Sequence, residues 1–153
     1  MSRVVGVLAY PLGPDFGVSR LRPRTLRRLY RRALLARAKP RSREYMLELF
    51  AEGFPDGAVE QDVPAESVDE IVLLYPDAIG LGFGSIERRL PAGVPVQVVN
   101  GRRRSFSFDT RTRRALVLRR ALERSMAGEA LALAVAALLT PVLILVDAAR
   151  GRR

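Results

Sequence analysis

Residues Ala130 to Val146 (ALALAVAALLTPVLILV) carry no charge in 17 positions, and Glu129 and Asp147 bracket them. As a helix rising 1.5 Å per residue, the run reaches roughly 26 Å, enough for a thin hydrocarbon core. Ten of the 17 are Leu, Ile or Val. At roughly −0.3 to −0.6 kcal/mol each they favour insertion by roughly 3 to 6 kcal/mol. Pro141 subtracts from this, although spanning helices tolerate proline. Two rival readings stand beside a spanning helix. One is a buried helix or strand pair in a soluble core, broken at Pro141. The other is a re-entrant hairpin turning at Thr140-Pro141 with both ends on one side.

The flanks favour a membrane. Six Arg lie between Arg111 and Arg124, and three follow the run at Arg150, Arg152 and Arg153. The heavier side is expected in the cytoplasm by the positive-inside bias. The stretch TRRALVLRRALERSM, capped by Asp109 or Thr110, reads as a basic amphipathic helix with Val117, Leu118, Ala121, Leu122 and Met126 on its apolar side. Its Arg113, Arg114, Arg119, Arg120 and Arg124 are candidates for an anionic lipid surface, each basic residue adding roughly 1 kcal/mol there. The expected division is a cytoplasmic α/β domain over 1–108, a basic juxtamembrane helix over 109–128, a transmembrane or membrane-embedded helix over 129–147 and a basic tail over 148–153. The expected location is the inner, cytoplasmic membrane.

The remaining charge is also blocked. The 153 residues hold 26 basic and 16 acidic side chains, a formal net charge of +10. Phe16 to Arg43 has eleven basic residues and no acidic one. Glu44 to Glu87 reverses this with eleven acidic residues and no basic one. Arg88 to Gly128 has eleven basic residues against Asp109 and Glu123. Either the acidic middle packs near the basic flanks, or a basic face meets phosphates. All but Lys39 of the basic residues are Arg, as codon bias in a GC-rich genome would give. The chain has no His and no Cys. That excludes a zinc finger, a Ser–His–Asp triad, a Cys nucleophile and a disulfide framework. No motif implies a cofactor.

The region before residue 109 alternates strand and helix signals, predicting a small two-layer or three-layer α/β sheet domain of three or four strands. Strand candidates are Arg3 to Tyr10, Glu70 to Tyr75, Pro95 to Val99 and Arg102 to Phe108, with a short edge strand near Val59 less marked. Asn100-Gly101 signals a hairpin. A two-residue turn would set Val99 against Arg102; a longer loop through Arg104 is the alternative. A helix from Thr25 to Ala38 carries Leu26, Leu29, Tyr30, Ala33 and Leu34 at helical spacing. A second over about Arg43 to Gly53 carries Tyr45, Met46, Leu49 and Phe50. On that second helix Glu44, Glu48 and Glu52 share a face, which invites basic partners. A third, short helix is expected from Ser85 to before Pro91. Val7-Leu8-Ala9-Tyr10-Pro11 echoes Val72-Leu73-Leu74-Tyr75-Pro76 at an offset of 65. The echo is either chance or the mark of two parallel neighbouring strands.

The loop Gly80, Leu81, Gly82, Phe83, Gly84, Ser85 is the candidate anion-binding segment. Glycine permits close backbone approach to a phosphate, and free N–H groups at a helix start face an anion. Arg88 and Arg89 would clamp its oxygens. The loop matches neither a Walker loop nor GxGxxG, and a purely structural turn is the plain alternative. Without His or Cys, acid–base chemistry falls to Asp15, Asp77, Glu87 or a Tyr. Three functions are expected, in descending order. The first is a membrane-anchored accessory or partner subunit in cell-envelope biosynthesis, working with phosphorylated or nucleotide-linked substrates beside a protein partner. The second is a small transferase binding a nucleotide or nucleotide-sugar. The third is a basic nucleic-acid-binding protein.

Overall fold

The computed structural model describes residues 3–10, 24–125 and 127–151. The chain order is β1 (Val4–Val7), α1 (Arg24–Ala38), α2 (Arg43–Gly53), β2 (Ala58–Glu60), β3 (Glu70–Tyr75), α3 (Gly84–Arg88), β4 (Val96–Asn100), β5 (Ser105–Ser107), α4 (Thr110–Ser125) and α5 (Ala127–Arg150). The strands form one sheet in the order β2-β1-β3-β4-β5. The first four are parallel and β5 is an antiparallel edge. Among the described residues the sheet thus has five strands, not three or four. The fifth is the short edge strand expected near Val59, β2, whose Ala58 and Val59 are exposed. A three-residue edge strand with so little burial leaves no alternation to read.

β3 is the middle strand and the most buried. Parallel strands covered on both faces read as unbroken apolar runs, and Ile71-Val72-Leu73-Leu74-Tyr75 is one. Alternation sends Ile71, Leu73 and Tyr75 to one face, where they meet Leu34 of α1, Ile86 of α3 and Leu116 of α4. Val72 and Leu74 face the other way, against Met46 and Phe50 of α2. The first compact unit therefore has three layers, and among the described residues α2 is the helix on its second face. α2 starts where Ser42 accepts a hydrogen bond from the Tyr45 N–H at 3.2 Å. Its stripe of Tyr45, Met46, Leu49 and Phe50 is buried or half-buried as the spacing predicts. Its exposed Glu52 pairs with Arg103. On α1 the covered face is Tyr30, Leu34, Leu35 and Ala38, while Leu29 and Ala33 point outward.

β1 and β3 are parallel neighbours, with Val7 opposite Leu73. The sequence echo is therefore one residue out of register. Val7 and its echo Val72 lie on opposite sheet faces. The echo marks two buried parallel strands rather than a repeated unit. The β4–β5 hairpin sets Val99 against Ser105, so the longer loop forms and the two-residue turn does not. Asn100 organises it. Its Oδ1 accepts from the N–H groups of Arg102 and Arg104 at 3.0 and 3.1 Å.

The second compact unit is residues 117–153. Its α5 runs unbroken through Pro141. This removes both the broken core segment and the re-entrant hairpin. Thr140 Oγ1 donates to the Ala136 carbonyl at 2.6 Å, one turn back. Residues Leu131–Arg150 form a helix long and apolar enough to cross a membrane, and none of that stretch is buried.

Candidate functional site

Open α/β sheets bind ligands beyond the carboxyl ends of their strands, where the strand order changes direction. Here that edge joins the ends of β1, β3 and β4. The Gly80–Ser85 loop sits on it, after β3. Its geometry turns on Asp77, which is buried. Asp77 Oδ1 accepts from the N–H groups of Ile79, at 2.8 Å, and Gly80, and Oδ2 accepts from Leu81 at 2.9 Å. Three donors that a bound phosphate would need are taken by the chain's own carboxylate. An external anion at this loop has to compete with it. Gly80 has φ +65, and a Cβ there would lie 2.6 Å from the Tyr75 ring. The glycine is required by the turn itself.

The helix that follows is only five residues long, and Phe83 at its cap position makes no side-chain bond. Gly82 is buried, Gly84 and Ser85 are half-buried, and Ser85 Oγ is enclosed without a hydrogen-bond partner. Glu87 is buried and accepts from the Tyr75 hydroxyl at 2.6 Å. Phe83 packs on the same tyrosine with ring centroids 4.8 Å apart. Asp77 and Glu87, the carboxylates singled out for acid–base work, are thus each bound into the fold. The third candidate, Asp15, lies outside the described residues.

Arg88 and Arg89 are exposed at the end of α3. Arg89 Nη1 pairs with Asp62 at 2.6 Å, and its Nε donates to the Ser85 carbonyl at 3.3 Å. The hydrogen bond from Arg89 holds the Asp62 carboxyl below the usual carboxylate range. This pair borders a cleft of roughly 630 Å³ at the ends of β1 and β2, lined also by Leu8, Ala9, Tyr10, Arg43, Gln61 and Ile86. The chain leaves the cleft at Tyr10 and passes out of the described residues.

The basic helix α4 is capped by Asp109, whose Oδ1 accepts from the Thr112 N–H at 2.6 Å. That backbone bond also lowers the Asp109 pKa. Arg113, Arg114, Arg119 and Arg124 are exposed. Arg120 and Leu116 are the buried positions, one turn apart. The expected apolar side is turned outward. Val117, Leu118 and Leu122 are all more than half exposed among the arginines. Such a surface, cationic and apolar together, suits a headgroup boundary.

Among the described residues, no group of three or more His, Cys, Asp or Glu is placed to hold a metal ion. Comparison with protein-family models, curated proteins and solved structures finds no match. By its sequence context Asn100 signals only a turn. Its Nδ2 also donates to the Ala78 carbonyl at 3.2 Å, tying the hairpin to the Asp77 loop. The Asn-Gly pair signals the local turn, and the Ala78 partner lies 22 positions away, beyond what a turn signal reaches.

Proposed function

We propose that the chain is a membrane-anchored α/β module, acting as an accessory or partner subunit of a cell-envelope biosynthetic system that handles phosphorylated or nucleotide-linked substrates. The observation that carries the anchor is α5. Its Leu, Val and Ile side chains are exposed on every side over residues Leu131 to Val146, and a helix apolar all round belongs in an apolar solvent. The exposed arginines and leucines of α4 support a cytoplasmic, anionic leaflet as the surface beside it. The substrate class rests on the basic carboxyl edge of the sheet. The accessory role is supported by the structural employment of Asp77 and Glu87, which leaves them bonded to backbone N–H groups and to Tyr75 rather than presented to a substrate.

Alkaline carbonate extraction tests the anchor. The full chain is expected to remain in the membrane pellet, and a chain ending at residue 128 is expected in the supernatant. Release of the full chain by carbonate overturns the reading. Co-purification in mild detergent, with and without residues 129–153, tests the partner role.

A further inference from the structure

The carboxyl ends of β3 and β4 hold a second basic site, separate from the Gly80–Ser85 loop. It begins where α1 ends. Lys39 has φ 43, and its N–H donates to the Leu35 carbonyl at 3.1 Å, closing the helix in a left-handed cap. The linker after it is then pinned to the sheet. Arg41 N–H donates to the Pro76 carbonyl at 2.9 Å, and its Nε donates to the Gly101 carbonyl at 3.2 Å. Gly101 N–H in turn donates to the Tyr75 carbonyl at 2.8 Å. A Cβ at Gly101 would run into the Pro76 carbonyl oxygen, so only glycine lets the two strand ends approach this closely. The Arg41 guanidinium lies 5.4 Å over the Tyr45 ring, which holds it further.

These three pinned segments enclose a pocket of roughly 230 Å³ whose lining includes Arg37, Lys39, Arg41 and Arg102. The single acidic residue in that lining is Asp77, and its oxygens already accept three N–H groups. We infer that this pocket binds the phosphate or diphosphate group of a phosphorylated ligand. Lys39, Arg41 and Arg102, on a backbone fixed by hydrogen bonds, give the charge-assisted, partly bidentate contacts that phosphate oxygens take. The volume sets the size of what enters. It falls below the roughly 300–1,000 Å³ of sites that enclose a whole drug-sized ligand, so the anionic head enters and the remainder of the ligand stays outside. The inference rests on the ligand class proposed above but not on the membrane anchor.

The test uses the full chain in neutral-detergent micelles at about 0.15 M salt, where exposed charges farther apart than about 8 Å are screened. Inorganic pyrophosphate is titrated by calorimetry, and phosphatidic acid is added in mixed micelles as a second arm. The pocket variant is Lys39→Asn with Arg102→Gln. Both positions are exposed, and asparagine suits the positive φ at residue 39. The control is Arg31→Gln with Arg32→Gln, both exposed on α1, which removes the same charge outside the pocket. Loss of two charge-assisted contacts is expected to weaken pyrophosphate at least about tenfold in the pocket variant, with the control staying near wild type. Displacement of phosphatidic acid by pyrophosphate supports a lipid-borne phosphate. Pyrophosphate binding without such competition supports a water-soluble one. Failure of both ligands to bind, or equal weakening in both variants, overturns the site. A full chain that carbonate releases yet binds pyrophosphate removes the anchor and leaves the pocket standing.

Discussion

Two five-residue runs of this chain have almost the same side chains and opposite surroundings. Ile71-Val72-Leu73-Leu74-Tyr75 in β3 is wholly buried, every residue at 0% exposure. Val142-Leu143-Ile144-Leu145-Val146 in α5 is 39 to 70% exposed. In β3 alternate residues point to two faces, and each face has a helical layer over it. In α5 five consecutive residues wrap more than a full turn, so no single protein surface covers them. Apolar content alone does not say which solvent a segment needs. The periodicity with which its side chains are distributed, and the supply of protein on each side, decide that.

The contrast is sharpest in truncation. Leu73→Ala is expected to destabilise the first unit by about 2–5 kcal/mol, the cost of a cavity in a packed core. Leu143→Ala should leave urea unfolding of that unit within about 0.5 kcal/mol of wild type. Equal losses would break the comparison. Next comes the reverse experiment. Leu143→Arg costs about 2.5–3.5 kcal/mol plus the lost leucine term for insertion near mid-helix. It should reduce the carbonate-resistant fraction while the urea midpoint of the α/β unit holds. A smaller effect is expected at the polar heart of the sheet edge. Asn100→Ala leaves the Arg102 and Arg104 N–H groups and the Ala78 carbonyl without their partner, for about 1–3 kcal/mol, read as a lowered Tm.

The smallest effect lies at the Arg89–Asp62 pair, which is half-exposed and contributes little. Because the folded Asp62 pKa is lowered, its contribution is present above the unfolded carboxylate value near 3.9. It disappears as pH falls through the lowered folded value. Arg89→Gln should therefore flatten this part of the acid-side loss of stability and leave the neutral-to-alkaline dependence unchanged.

Much of the scaffold is legible in local pattern. β1 and β3 hold apolar runs, β4 is Val-rich and ends at the Asn100-Gly101 turn signal, α2 has a 3.6-residue stripe, and Pro76 ends β3. What escapes is set by distance along the chain. β2 is signalled only faintly, near Val59, because pairing with β1 rather than its own pattern recruits it. The larger apolar side chains of α4 suggest one face, yet Leu116 and Arg120 are its buried positions; Leu116 joins the core of the first unit, a contact that local amphipathicity does not announce. The Gly80–Ser85 loop has the composition of an anion cradle. The sequence could not show that Asp77, three to eight residues earlier, turns into it and takes its donors. The basic pocket joins Lys39 to Arg102 across 63 positions, and no spacing rule spans that interval.

The central claim is that the exposed apolar surface of α5 lies in lipid. The chain has no cysteine, so one introduced thiol is unique. Leu138→Cys and Glu48→Cys are labelled in intact membranes with an impermeant maleimide that has access to the cytoplasmic face. The account predicts that the thiol at 48 reacts and the thiol at 138 does not until the membrane is dissolved and the protein denatured. Reaction of the thiol at 138 in intact membranes at the same rate as that at 48 would contradict it.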